Sequence, residues 1–254
     1  MKKLFCIILL FTCFNSFSQE LVFQQVFIKA HDVEAYDAFL KNHFSKIHQK
    51  RVDEGGLFAW DAWKVVDTPQ EDFTHMVTYI YDFTKEPAEW NAMEALGMNE
   101  TQMSSVMKNV NSIRERVGKA TLNDLASVRK KGAEDVPNIM VLNFMKVKND
   151  LFASYEKSEI EGTKKISNDD LRVGWNFHRR LDNYGTDTYF SHITIDWFDN
   201  FRDYIRSNMG SLSDGNDNEW NKLRDLKKRV VLGNFLKIRS KLIIFVLILK
   251  KPFK

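Results

Sequence analysis

Of the 254 residues, the first 18 read as a secretory leader, and the remainder is long enough for one or two domains with a hydrophobic core. Both cysteines, Cys6 and Cys13, fall in that leader, which excludes disulfides from the mature chain although it is read as entering an oxidising compartment. The net charge of +3 includes Lys2 and Lys3 of the leader, so no basic excess is left to argue for nucleic acid or an anionic membrane as partner.

Lys2 and Lys3 form a positive start, Leu4 to Phe14 an apolar run broken only by Thr12, and Ser16-Phe17-Ser18 offers small residues to a signal peptidase. Gln19 is the predicted mature start. The apolar run is shorter than the roughly 20 residues a bilayer span needs. Phe11 and Thr12 fit lipoprotein processing at Cys13 poorly. Val22 to Ala30 reads as a strand. Asp32 is the predicted N-cap of a helix whose apolar face is Tyr36, Phe39, Leu40, His43, Phe44 and Ile47, ended by a left-handed turn at Gly55-Gly56. Leu57 to Val66 and Phe73 to Phe83 read as two strands joined through Asp67, Pro69 and Asp72. Trp90 to Gly118 is predicted largely helical with a break near Gly97, and a charged linker follows over 127–138.

Ile139 to Val147 then opens a second series: a helix from about Asp150 to Ser167, strands at Gly174 to Leu181 and Thr188 to Phe198 around Asn183-Tyr184-Gly185, and a helical region over 199–240 interrupted at Ser211 to Asn218. The two series are copies. Phe27-Ile28-Lys29-Ala30 recurs as Phe144-Met145-Lys146-Val147, and Phe73-Thr74-His75 as Phe190-Ser191-His192, both displaced by 117 residues. At that offset Phe58 and Trp60 fall opposite Trp175 and Phe177. Arg116-Val117 resembles Arg229-Val230 at 113, which implies a short deletion late in the second copy.

This doubled strand-helix-strand-strand-helix order, with a final strand expected in each copy, resembles the dimeric α/β-barrel superfamily, including antibiotic-biosynthesis monooxygenase-like and NIPSNAP-like proteins. The resemblance rests on element order and aromatic pattern over nearly all of the mature chain. It implies an α+β protein in which two ferredoxin-like repeats, 19–126 and 139–240, form one pseudo-symmetric barrel within a single chain. The tail 241–254 departs from the pattern: Leu242 to Leu249 is an unbroken apolar run, too short as a helix to span a membrane and read as an added buried strand, an interaction segment or an altered reading frame at the chain end.

For chemistry, alternation places His192, Thr194 and Asp196 on one face with Phe190 and Phe198. The matching face of the first copy carries Phe73, His75, Val77, Tyr79 and Tyr81. His192 and Asp196 stand roughly 13 Å apart by strand rise, too far to bond but suited to face one cavity, with His192 as base or ligand contact and Asp196 as its polarising partner. The blander alternative is a histidine with a satisfied hydrogen bond and a carboxylate near the sheet edge. Arg179 shares a face with Trp175 and Phe177, where it would hold an anionic ligand, stack on a ring, or pair with a carboxylate of the adjacent helix. The 117 offset puts Asp61, Ala62 and Trp63 opposite His178, Arg179 and Arg180, so the asymmetry directs a single pocket to the second half. His43 and His48 lie about 140° apart on their helix and do not face one ion, and no metal motif is present. Trp60 and Trp63 point to opposite faces of their strand.

The expectation is therefore an exported protein that binds a small, partly apolar molecule in a barrel cavity, its cofactor unspecified by the sequence. The superfamily resemblance implies, as an alternative, a cofactor-free or haem-dependent oxidoreductase. A third reading is a structural or partner-binding protein that docks through its apolar tail.

Overall fold

The computed structural model describes residues 20–66, 72–85, 91–130, 136–162, 171–182, 188–210 and 222–239. The leader, Asp67 and Pro69, Trp90, the Asn183-Tyr184-Gly185 turn, Ser211 to Asn218, Trp220 and the tail 241–254 lie outside the described residues.

In the first repeat, strand β1 (Leu21–Ala30) leads into a helical rod made of α1 (Val33–Phe39), a π-helical turn (Leu40–Phe44) and α2 (Ser45–Asp53). Asp32 caps the rod as expected, its carboxylate accepting from the Ala35 amide at 2.9 Å. The chain leaves it through Gly55 at φ +80°, a conformation a Cβ would strain. Strands β2 (Ala59–Val65) and β3 (His75–Asp82) follow, then α3 (Ala92–Leu96), a break at left-handed Gly97, α4 (Glu100–Ile113) and β4 (Arg114–Arg129). The second repeat runs β5 (Ile139–Val147), α5 (Phe152–Gly162), β6 (Gly174–Arg180), β7 (His192–Phe198), α6 (Phe201–Gly210) and β8 (Arg224–Arg239).

Two segments read as helix are strand. The first-repeat helix stops at Ile113, not Gly118, and 224–239 is β8. Glu115 and Arg116 are exposed and carry no apolar alternation of their own, so it is the ladder with β1 that makes this stretch extended. In β8, Val230 and Leu232 point inward while Val231 points outward, the period of two that a strand imposes. Strand β4 also runs through Ser127 to Arg129, where the linker was expected to begin.

These two long strands close the fold. The first half of β4 pairs with β1 and its second half with β6 of the other repeat. Reciprocally, β8 pairs with β5 and then with β2. The result is a closed antiparallel barrel in the order β1-β3-β2-β8-β5-β7-β6-β4, an α+β architecture with two ferredoxin-like halves.

The registers also correct the repeat alignment. His75 and His192 are equivalent at 117, but Lys64 pairs with His75 as Arg179 pairs with His192, so β2 and β6 are related by 115 residues. Trp60 corresponds to Trp175, and Trp63, Lys64 and Val65 correspond to His178, Arg179 and Arg180. Similarly, Arg114 opposite Ala30 matches Arg224 opposite Val147, an offset of 110 instead of 113.

The barrel interior is packed. Phe27, Trp63, Met76 and Leu122 of the first repeat meet Leu142, Phe144, Ile193 and Trp197 of the second. Trp63 and Trp197 lie 5.5 Å apart, and Phe27 and Phe144 5.8 Å, between ring centres. An eight-stranded barrel is just wide enough for its own side chains, so the expected ligand cavity inside it is filled by aromatic residues. Phe73 and Phe190, placed by alternation on the histidine face, instead turn inward, because both precede the regular strand. Trp60 packs outside under the helices, on the face opposite Trp63. No helix among the described residues is long and apolar enough to cross a membrane.

If the interior is one shared core, Leu232→Ala is expected to cost about 2–5 kcal/mol in urea unfolding, with a single transition for both repeats. Leu226→Ala on the exposed part of β8 is expected to cost less than about 0.5 kcal/mol. Two separable transitions in the Leu232 variant would contradict a common core.

Candidate functional site

His75 and His192 start β3 and β7 and point outward, under the helices, not into the barrel. Each sits in the same chain of hydrogen bonds. In the first repeat the Ala30 amide donates to Thr74 Oγ1 (2.9 Å), Thr74 Oγ1 meets His75 Nδ1 (2.9 Å), His75 Nε2 meets Asp37 Oδ1 (2.8 Å), and Lys64 Nζ donates to Asp37 Oδ2 (2.8 Å). In the second, the Val147 amide donates to Ser191 Oγ (3.0 Å), Ser191 Oγ meets His192 Nδ1 (3.0 Å), His192 Nε2 meets Glu156 Oε1 (3.0 Å), and Arg179 donates to both carboxylate oxygens of Glu156. An ionised carboxylate only accepts, so the Nε2 atom carries the proton and the hydroxyl donates to Nδ1. Burial holds both imidazoles below their ordinary pKa, against the opposing pull of the carboxylate. Burial pushes Glu156 up, but the hydrogen bonds from Arg179 and His192 outweigh it and hold the carboxyl low. The order hydroxyl, imidazole, carboxylate is that of an activated nucleophile, yet Thr74 and Ser191 are buried and already accept a backbone amide. These chains tie the first helix of each repeat to its sheet.

The other residues singled out in the sequence fall elsewhere. Asn143 Nδ2 donates to Thr194 Oγ1 (3.2 Å) and Asp196 Oδ2 (2.9 Å). Arg172 reaches Asp196 Oδ1 (3.1 Å), and Arg229 Nε donates to Asn143 Oδ1 (2.7 Å). Trp175 is buried against Phe177, ring centres 5.8 Å apart. His192 and Arg179 thus share one network, Thr194 and Asp196 another, and His75 belongs to the opposite repeat. They do not line one cavity. Of the three readings of Arg179, the structure shows the pairing with a helix carboxylate. Nor is Arg179 peculiar to the second half, since Lys64 is its counterpart. His178 faces inward, 3.7 Å from Asp124 and tilted against Phe23, ring centres 5.0 Å apart.

An open cleft lies on the other side of the molecule, between α1, the π-helical turn and the outer face of β1, β3 and β4. It encloses about 470 Å³, with Val26, Ile28, Phe44 and Val77 as apolar walls and Tyr36, Tyr79, Arg114 and Arg116 among its polar ones. Arg114 is only 5% exposed, its guanidinium 5.7 Å from the Tyr36 ring centre and 5.9 Å from that of Phe44. Among the described residues neither Arg114 Nε nor the Tyr36 hydroxyl has a hydrogen-bond partner. Burial raises the Tyr36 hydroxyl above the usual phenol range and lowers Arg114, the latter helped by Arg116. Behind the cleft wall lies His48, stacked on Trp60 (4.8 Å) and 5.1 Å from the Tyr79 ring, and among the described residues neither of its ring nitrogens has a hydrogen-bond partner. Burial, reinforced by Arg51, lowers its pKa to about 3.

None of these cleft residues was singled out for chemistry in the sequence. A signal existed: Tyr36-Asp37 and Tyr155-Glu156 are the same dipeptide type at an offset of 119. It is masked because four different offsets, 117, 119, 115 and 110, relate the elements of the two copies.

No protein-family model matches the chain, and no curated protein matches it. Similarity to solved structures covers nearly the whole chain at low identity. A candidate monooxygenase from Fusobacterium nucleatum superposes with a TM-score of 0.56 at 14% identity, over 88% of this chain and 96% of that one. One from Lactobacillus acidophilus gives 0.53 at 11%, over 87% and 97%. An anthrone oxidase-like protein gives 0.59 at 9%, over 89% and 95%. The chain therefore has the dimeric α/β-barrel fold of these proteins, with both ferredoxin-like halves in one polypeptide.

The buried imidazoles make stability depend on pH in a definite direction. His48 stays neutral in the folded protein down to about pH 3, whereas the unfolded chain protonates it near its ordinary value of 6.5. The unfolded state then binds more protons, so stability falls as pH drops below 6.5, and His75 and His192 act in the same sense. His48→Phe is expected to recover on the order of 1–3 kcal/mol of the loss between pH 7 and pH 4 in urea unfolding. An unchanged pH slope would show that His48 is not its source.

Proposed function

We propose that this chain is an exported protein that binds a small, partly apolar molecule in the first-repeat cleft. The observation that carries this reading is the contrast between a filled barrel interior and an open volume of about 470 Å³ on the helix-covered face of the first repeat. Ligand sites for small molecules typically enclose roughly 300–1,000 Å³ with apolar walls and a few polar groups. Val26, Ile28, Phe44 and Val77 supply the walls here, and Tyr36, Tyr79 and Arg114 the polar groups. Export rests on the leader-like residues Met1 to Ser18 and on the confinement of cysteine to them.

Haem does not fit the described cleft. Its lining holds no histidine, cysteine or methionine to ligate iron, and burial keeps the Tyr36 and Tyr79 hydroxyls protonated. No step through haem is derived.

Cofactor-free oxidation is a second reading, suggested by the anthrone oxidase-like neighbour. The anthrone oxidase-like neighbour supplies a probe. On this reading dioxygen uptake with anthrone exceeds the uncatalysed rate and falls at least tenfold in Gln24→Trp, which fills the cleft. Uptake no faster than without protein removes it.

For the binding reading, the neutral fluorophore N-phenyl-1-naphthylamine is expected to bind once per chain with enhanced emission and to raise the melting temperature. Gln24→Trp, at the cleft lining, is expected to weaken that binding about tenfold or more. Undiminished binding in a folded Gln24→Trp variant would place the site elsewhere.

A further inference from the structure

The two repeats place the same tyrosine and arginine side by side and then treat them differently. Tyr36 and Tyr155 each present their rings edge-on to the repeat's histidine, at 5.0 and 5.3 Å. Arg114 and Arg224 each open the long strand at equivalent registers. In the second repeat the tyrosine is closed by a carboxylate: the Tyr155 hydroxyl donates to Glu159 Oε1 at 2.8 Å, one helical turn further on, and is hydrogen-bonded to Arg224 as well. In the first repeat the residue four positions after the tyrosine is Leu40, which is buried in the helix core and offers no acceptor.

An arginine placed away from water without an anion is costly, and so is a buried hydroxyl without a partner. The second repeat meets the hydroxyl's demand through Glu159 and Arg224, although Arg224, bonded to Tyr155, leaves its Nε unsatisfied among the described residues as Arg114 does. The first leaves both demands unmet among the described residues, and it does so in the wall of the open cleft, with Arg116 and Lys119 also on its lining. The feature is thus a pair of unpartnered, almost wholly buried polar side chains aimed at a cavity, set against an internal control in the same chain.

We infer that the cleft takes a ligand bearing a single acidic group, which fills the place that the Glu159 carboxylate occupies in the second repeat. Its oxygens accept from the Tyr36 hydroxyl and the Arg114 guanidinium, while its apolar body lies against Val26, Ile28, Phe44 and Val77. Arg116 and Lys119 add positive charge toward solvent. This inference rests on the cleft being the binding site, and it adds the chemical class of the ligand: a small aromatic or aliphatic monoanion instead of a neutral molecule. It also explains the divergence of the repeats, since Glu159 satisfies in the second copy the hydroxyl that the first copy leaves open.

The test compares two fluorophores that share an anilinonaphthalene body, 8-anilinonaphthalene-1-sulfonate and neutral N-phenyl-1-naphthylamine, on the full chain. The anionic probe is expected to bind at least tenfold more tightly, and its advantage to shrink at high salt. Arg114→Gln is expected to abolish the advantage while leaving the neutral probe within twofold. Tyr36→Phe, a milder change, is expected to reduce the advantage severalfold and serves if Arg114→Gln does not fold. Equal affinity for the two probes, or equal losses for both in these variants, would overturn the acidic ligand and leave the cleft standing. Failure of both probes to respond to Gln24→Trp would overturn the cleft and the inference together.

Discussion

Closure of the barrel by exchange of long strands is the constraint from which the rest follows. Each ferredoxin-like half ends in a 16-residue strand too long for its own sheet, and the surplus is hydrogen-bonded to the other half. Once eight strands close, the interior has room only for side chains, and Trp63, Trp197, Phe27 and Phe144 fill it. Any site must then lie on the outer faces, between sheet and helices. Because both halves belong to one chain, the closing partner is always present at high effective concentration.

On those outer faces the two halves share one device and differ in another. The shared device is the chain from backbone amide through hydroxyl, imidazole and carboxylate to a cation, which locks α1 onto β3 and α5 onto β7. Every member is buried or partly buried and has a hydrogen-bond partner within the chain of bonds, as low-dielectric surroundings favour. The difference lies one turn and one strand away. The second half covers its sheet with a closed polar set, Asn143, Thr194, Asp196 and Arg229, whereas the first has Val26, Val77, Tyr79 and Lys119 at equivalent positions and leaves space above them. Divergence between copies thus separates a half whose tyrosine hydroxyl and outer sheet face are filled by its own side chains from a half that leaves space there.

Much of the fold was legible because local patterns coincide with the tertiary need. Asp32 caps its helix and Gly55 and Gly97 take left-handed backbone where the pattern demanded a stop. Ile139–Val147 is a strand with the bounds expected. Residues 114–118 and 224–239 were misread because their charged residues show no local alternation, and only pairing with β1, β5 and β2 makes them strands. The site was less legible still. His192 and Asp196 do share a strand face, but α5 lays Glu156 over one, and Asn143 with Arg172 claims the other. Arg179 looked unique because a single offset was applied to strands that have slipped by two residues relative to their neighbours.

What the sequence determined by itself was the duplication, the order of elements and the identity of the histidine-bearing strands, since capping, alternation and repeat matches are properties of short segments. The tertiary structure alone decided which face of each strand lies inside, which arginines find carboxylates, and that space remains beside Tyr36 and Arg114. Those outcomes depend on strand register and helix placement, which are set by contacts between residues tens to more than a hundred positions apart. The duplication is what makes the last of them interpretable, because Glu159 shows within the same chain what the first repeat lacks.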